Sequence, residues 1–263
     1  MGLVRTDWHG GVATLVLDRP ARHNALTPDL LADLLAAIRA AEERAASALV
    51  LTGAGRSFST GGDVAGFLAA AGDAAELDDY AARTVGALHA AILALLALPM
   101  PVIARINGPV TGGSVGLVLA ADLVAMADDA FLQPYYSEVG FSPDGGWTAL
   151  LPERIGTARA LEIQFLNRRI GAAEARDLGI ATETAAADDL EAVVTRWTGA
   201  LATKSGASLR ATRRLVWDGA RRARVAERLA AETGLFRELV ATDDTARRMT
   251  AFVHGRSRAA GRA

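Results

Sequence analysis

The sequence predicts an α/β fold: a layered core over residues 1–187, followed by a helical region over 188–263. Two observations predict it. Strand, glycine-rich turn and helix alternate twice between Ala48 and Ala121, the pattern of a core that keeps ligand groups at its strand ends. Past Asp188 the strand signal stops, while Arg- and Ala-rich helical periodicity continues. A length of 263 residues suits one large domain, or one domain with an appendage, and excludes a fusion of two enzymes.

Each element has its own reason. Leu3–Trp8 and Val12–Asp18 are expected as strands about the turn His9-Gly10-Gly11, with Val12, Leu15 and Leu17 apolar and glycines at the corner. Thr27 and Pro28 then open a helix as cap and first-turn proline, and Leu30, Leu31, Leu34, Leu35 and Ile38 recur at helical spacing. Ala48–Leu51 is a short buried strand leading into the glycine-rich stretch 53–62. A helical tract about Tyr80–Leu98 stops at Pro99. Pro101–Ala104 is the next strand, followed by a second glycine-rich stretch and the apolar helix Ser114–Ala121. Four helices are expected at the C-terminal end, over Leu190–Thr203, Leu209–Gly219, Val225–Val240 and Thr245–His254, packed against the core or another subunit. The tail from Arg256 to Ala263 is expected to be mobile.

Composition excludes several classes of function. Twenty-eight basic against 30 acidic residues leave a net charge of −2, so no overall field draws the chain to nucleic acid or an anionic membrane. With no cysteine there is no disulfide framework, thiolate chemistry or Cys-ligated metal, which suits a reducing compartment and a cytoplasmic location. Four scattered histidines make no metal site. The apolar runs Ala90–Leu98 and Val110–Ala121 fall short of the ~20 residues of a membrane span. Gly2 fits the short myristoylation pattern, but a glycine after an initiator methionine is commonplace.

Among the motifs, Gly53-Ala54-Gly55 is no dinucleotide fingerprint, because Phe58 takes the place of its third glycine and no helix opens there. Gly112-Gly113-Ser114-Val115-Gly116 is a literal Gly-x-Ser-x-Gly, with aspartates and then His254 in the order of an α/β-hydrolase triad. Against it, the loop Asn107–Gly113 separates Ser114 from the strand before it, where a nucleophile elbow needs a sharp turn. That reading stays open as an alternative. The stronger signal is the pair of stretches Phe58-Ser59-Thr60-Gly61-Gly62-Asp63 and Asn107-Gly108-Pro109-Val110-Thr111-Gly112-Gly113. Small residues at such corners let backbone N–H groups approach a ligand, with a positive helix end behind them.

Together with Arg19-Pro20-x-Arg22-His23-Asn24-Ala25-Leu26, Leu51-Thr52-Gly53, Pro101-Val102-Ile103-Ala104-x-Ile106-Asn107-Gly108, Gly112-Gly113-Ser114-x-Gly116-Leu117, Ala121-Asp122 and Gly140-Phe141-Ser142-Pro143-Asp144-Gly145-Gly146, these stretches resemble the crotonase superfamily, the enoyl-CoA hydratases and isomerases. The resemblance covers most of the chain. It implies a β/α spiral core, a C-terminal helical trimerisation region giving a homotrimer or a dimer of trimers, and an acyl-CoA thioester as substrate. Coenzyme A enters as part of that substrate, with no separate cofactor or metal. It also implies a thioester oxygen held between the amides of Gly62 and Gly113. Arg22, His23, Ala25 and the Ser59-Thr60-Gly61 backbone would line the nucleotide and pantetheine, with Asp63 capping the following helix. Arg22 and Arg256 are the candidate phosphate ligands, since Lys204 is the only lysine.

The two glutamates with which hydratases of this family add water fall at Gly116 and Tyr136 here. Glu138 lies close by on a segment expected to be extended, and is read as a solvated or interface carboxylate. Asp144 stands where the family's isomerases place their working carboxylate, among apolar Phe141, Pro143 and Trp147, which should raise its pKa toward what a proton shuttle needs. The turn Pro-Asp-Gly-Gly would favour the same residue for shape alone. The expected reaction is isomerisation of an unsaturated or ring-bearing acyl-CoA, with Tyr136 and Trp147 lining the acyl pocket. Hydration, hydrolysis or decarboxylation on the same oxyanion device, a non-catalytic acyl-CoA binder and the Ser114 hydrolase are the alternatives.

Overall fold

The computed structural model describes residues 2–260, and side chains as far as residue 255. β1 (Val4–His9) and β2 (Val12–Leu17) form an antiparallel hairpin closed by the pair His9–Val12. Gly10 and Gly11 both take positive φ, +53° and +82°, the left-handed pair that a two-residue hairpin turn demands. α1 (Pro28–Glu43) starts as its sequence indicates: the Thr27 hydroxyl accepts from the Leu30 N–H at 3.3 Å, and Leu30, Leu31, Leu34 and Ile38 are buried. β3 (Ala48–Gly53) lies parallel to β2 and is buried along its whole length.

After α2 (Val64–Ala70) comes α3 (Ala74–Ala97), which begins earlier than its apolar pattern because Asp73 caps it, accepting from the Ala75 and Glu76 N–H groups at 2.7 and 3.0 Å. By length and composition α3 could cross a membrane, a possibility that counting uninterrupted apolar runs overlooks because Arg83 and His89 interrupt it. Half of that stretch is buried inside the protein, packed against α1 and the C-terminal helices as a core helix.

β4 (Val102–Ile106) lies parallel to β3. Next come β5 (Val110–Thr111), α4 (Val115–Leu119), β6 (Leu123–Ala127), β7 (Phe131–Gln133), α5 (Tyr136–Val139), α6 (Leu151–Ile155), α7 (Thr157–Phe165), β8 (Ile170–Gly171), α8 (Ala172–Asp177) and β9 (Glu183–Ala185). The main sheet runs β1-β2-β3-β4-β6-β9, parallel except at β1, and β5-β7-β8 form a second small sheet. The sequence does not reveal the second sheet, whose strands of two or three residues are too short to set up an alternation.

Four helices complete the described residues: α9 (Leu190–Ala202), α10 (Gly206–Val216), α11 (Gly219–Val240) and α12 (Asp243–Ala260). α11 starts before Val225 because Asp218 caps it, accepting from the Arg221 N–H at 2.7 Å. Backbone 256–260 continues α12 where a mobile tail was expected, while the Arg256 side chain and residues 261–263 lie outside the described part. Arg213 fastens α10 to the core: its guanidinium pairs with Asp122 at 2.8 Å and donates to the carbonyls of Leu95, Leu96 and Leu98, left open where α3 ends. Phe236 and Val240 of α11 close an apolar cluster with Phe67, Val85 and Met249.

Candidate active site

Two main-chain turns meet at the ends of the core strands. The first, after β3, is held by Asn24, wholly buried, whose amide donates to the carbonyls of Ala54, Ser57 and Phe58 at 2.8–3.1 Å. Gly61 is left-handed (φ +75°), and a Cβ there would come within 2.6 Å of the Thr111 carbonyl, so only glycine lets the two turns touch. The Gly61 carbonyl accepts from Leu26 and the Asp63 N–H donates to Leu26, a bridge that leaves the Gly62 N–H between them out of the pairing. Gly113 lies in the first turn of the short helical segment that leads into α4, where N–H groups have no intrahelical acceptor. Two unspent donors with a helix N-terminus behind one of them are suited to a developing oxyanion.

Ser114 joins these turns and takes no reactive position. It is fully buried, and its hydroxyl lies 2.7 Å from the Thr111 carbonyl and 3.0 Å from that of Ser59. His254 is exposed on α12. The hydrolase alternative therefore fails on geometry.

A cavity of about 340 Å³ opens against the two turns. Gly62, Gly113, Tyr136 and Asp144 line it, as do His23 and Thr60. The other expected contacts are not in its lining. Ser59 is wholly buried, its hydroxyl donating to the Asn24 carbonyl at 2.8 Å, and Gly61 is the contact between the turns. Trp147 stands behind the second turn, its indole N–H donating to the Gly112 carbonyl at 2.8 Å. Ala25 is buried, with its carbonyl taken by Arg19, and Arg22 is a half-exposed side chain 3.4 Å from Asp63. Asp63 precedes α2 but does not cap it; its carboxylate pairs with Arg19 at 2.9 Å and with Arg22. Glu138 is exposed as expected, though for another reason: its segment is the helix α5, so it points away from buried Tyr136.

Asp144 sits on the turn 143–146, where Gly145 (φ +62°) and Gly146 (φ +83°) fold the backbone onto Gly113. Its carboxyl is 8% exposed and accepts from the Tyr136 hydroxyl at 2.5 Å. A Cβ added to Gly113 would lie 2.8 Å from Asp144 Oδ1, so acid and amide share one small space. Burial pushes the Asp144 carboxyl up to about 6, against the opposing pull of the Tyr136 hydrogen bond and of His89. The same burial, then the adjoining Asp144, raises the Tyr136 phenol well above its ordinary range. Gly116 faces this turn from α4: a Cβ there would stand 1.9 Å from the Gly145 carbonyl oxygen.

Three residues that the sequence did not single out hold the turn. Glu232 of α11, 4% exposed, accepts from the N–H groups of Gly146, Thr148 and Ala149 at 2.9–3.2 Å and from the Thr148 hydroxyl at 2.6 Å. His89 of α3 accepts from the Gly145 N–H through Nε2 at 3.3 Å, and its Nδ1 lies 3.0 Å from the Thr233 hydroxyl. That hydroxyl also donates to the Leu229 carbonyl at 3.1 Å. Partners 56 and 86 residues away leave no local signal in a sequence.

The spiral of parallel strands, with two glycine turns converging on one buried carboxyl, defines a crotonase-fold protein. Residues 7–259 match the enoyl-CoA hydratase/isomerase family, and the chain belongs to it. It is 35% identical to 4-chlorobenzoyl coenzyme A dehalogenase-2 of an Arthrobacter species, over 70% of this chain and 66% of that protein's length. Its fold is similar to that of an enoyl-CoA hydratase from Bacillus halodurans (TM-score 0.89, 24% identity, 95% and 100% of the two chains). It is also similar to a monofunctional enoyl CoA isomerase from M. smegmatis (TM-score 0.67, 31% identity, 83% and 94%).

Proposed function

We propose that the protein isomerises an unsaturated or ring-bearing acyl-CoA by moving a proton through a thioester enolate. The observation that carries this reading is Asp144, a buried carboxyl raised to about 6 beside the Gly113 amide. The substrate's thioester oxygen would accept from the Gly62 and Gly113 N–H groups, which stabilise the enolate as it forms; one such donor is worth ~3–4 kcal/mol in a transition state. Asp144 takes a proton from the carbon next to the carbonyl or conjugated with it, the electron pair moves onto the oxygen, and Asp144, whose acid proton exchanges with solvent, returns a proton to another carbon. The cycle consumes no water and needs one carboxylate. Gly116 and Tyr136, where hydratases of the family carry glutamates, supply no second base, and Tyr136 is committed to Asp144. His23 and Thr60, at the cavity wall, would face the pantetheine, and Arg22, next to His23 in sequence, a CoA phosphate. Coenzyme A is part of the substrate in this reading, the C-terminal helices form a trimer or paired trimers, and the protein is cytoplasmic.

Offering 2-enoyl- and 3-enoyl-CoAs in deuterated water, with double-bond position and label followed by NMR, tests the reaction. Double-bond migration with deuterium uptake, lost in Asp144→Asn, is the expected result. Hydration of crotonyl-CoA undiminished by Asp144→Asn would overturn it, and labelling of Ser114 by a fluorophosphonate would revive the hydrolase. One alternative has its own support: the dehalogenase likeness and a cavity walled by Phe67, Phe131, Phe141, Phe236 and Phe252 suit displacement on an aryl ring, with Asp144 as nucleophile. Chloride release from 4-chlorobenzoyl-CoA distinguishes it.

A further inference from the structure

The turn that carries Asp144 is held from two sides through its main chain, and neither hold reaches the carboxyl. Glu232 accepts from the Gly146, Thr148 and Ala149 N–H groups, and His89 from that of Gly145. A carboxyl turns easily about its last bond, because an sp³–sp² torsion has broad, two-fold wells. With the main chain alone fixed, either oxygen could face the cavity.

One side chain among the described residues donates to that carboxyl. Tyr136, buried in the first turn of α5, places its hydroxyl 2.5 Å from Asp144 Oδ1 and 2.9 Å from the Asp144 carbonyl oxygen. The first contact ties down Oδ1 and leaves Oδ2 for the cavity that both residues line. The second joins the same hydroxyl to the main chain of the turn. Oδ1 also lies 2.8 Å from where a Gly113 Cβ would stand, so the tie sets the carboxyl against the oxyanion amide. Burial raises the phenol well above its ordinary range, so the donor persists wherever the carboxyl titrates.

We propose that Tyr136 is the positioning residue of the proton transfer: its hydroxyl ties down Oδ1 of Asp144 and makes Oδ2 the one atom that takes and returns the proton. In the first half, a substrate C–H bond breaks, an O–H bond forms at Oδ2 and the electron pair moves onto the thioester oxygen. In the second, the Oδ2–H bond breaks and a C–H bond forms at the other carbon. Oδ1 accepts from Tyr136 throughout. The inference rests on the isomerase reading above and deepens it.

Tyr136→Phe keeps the ring and removes the tie. Its kcat is expected to fall about 10- to 100-fold with KM within about twofold, the mark of a base that is present but out of place. The rising limb of its pH–rate profile should also move up from about 6 by about one pH unit, because the lost hydrogen bond favoured the carboxylate. His89 of α3 and Glu232 of α11, which face Asp144 from the other packed elements, are the same in both proteins, so that difference belongs to Tyr136. Infrared spectroscopy needs neither turnover nor this variant. The C–O band of one of the three tyrosines should shift in the wild type as Asp144 titrates, and should stay in place in Asp144→Asn. An unmoved limb or an unchanged kcat in Tyr136→Phe, or tyrosine bands indifferent to the titration, would each overturn the inference and leave isomerisation standing. If Tyr136→Phe does not fold, the infrared comparison decides. A wild type that moves no double bond would instead remove the isomerase reading, while the tyrosine band still reports whether the tie exists.

Discussion

The core turns and the C-terminal helices build one cavity by different chemistry. The turns at Gly62 and Gly113 contribute main-chain N–H groups, and at Gly61 and Gly113 they leave no room for a side chain. The helices contribute only side chains: Glu232 grips the turn 146–149, Thr233 orients His89, and Phe236 and Phe252 wall the pocket. The working carboxyl lies between the two regions, on a core turn that a C-terminal helix holds in shape. A region that reads in sequence as an appendage for assembly is, in the folded chain, part of the site's wall and support.

The largest expected effect falls on the reactive side. If Asp144 is the proton carrier, Asp144→Asn lowers the isomerisation rate ~10²–10⁴-fold and leaves acyl-CoA affinity within about twofold. Steady-state kinetics beside calorimetry measure both, and an unaltered rate would confine Asp144 to its turn. The supporting side is tested by Glu232→Gln, which turns a buried acceptor partly into a donor facing N–H groups. A loss of ~2–4 kcal/mol in unfolding free energy is expected from denaturant titration. An unchanged midpoint would return α11 to a purely assembling role.

Acidity tests how strongly the two regions hold the carboxyl away from water. Asp144 titrates near 6 in the folded protein and near 3.8 when unfolded, so between those values the native state binds the extra proton. Stability from this group is full below about pH 4 and falls as pH rises to about 6, by up to ~3 kcal/mol. Unfolding curves of the wild type and Asp144→Asn should therefore diverge over that interval in favour of the asparagine protein, and the isomerisation rate should rise through pH 6 as the base ionises. Parallel curves would mean that water reaches the turn. The smallest effect belongs to exposed Glu138, which touches neither region's contribution: Glu138→Gln should change stability and rate within ~0.5 kcal/mol.

What could be read in the sequence follows the same division. Gly61, Gly112 and Gly113 were legible because close approach or positive φ restricts the choice to glycine, and glycines at such corners stand together within a few residues. The Gly10-Gly11 hairpin, the Thr27 cap and the stop at Pro99 were legible for that same local reason. Glu232 was not, since a glutamate on an Ala- and Arg-rich helix looks the same whether it meets water or a buried turn. The segment at Tyr136 was misread as extended because Tyr135, with φ +63°, starts a helical turn from the left-handed region, which no residue type there announces. Trp147 was assigned to the pocket because aromatic character tells nothing of which side of a turn the ring occupies.

The contact between Gly116 and the Gly145 carbonyl bears on how such a chain can change over generations. With 1.9 Å between that oxygen and the place of a side chain, no single replacement at 116 is accommodated while the turn 143–146 keeps its course. Redirecting that turn alone withdraws Asp144 from Gly113. The two positions thus form one epistatic unit, and a lineage could gain a carboxylate at 116 only through an intermediate whose turn is already displaced. A library that randomises 116 together with 143–146 should reach folded sequences that saturation of either segment alone does not.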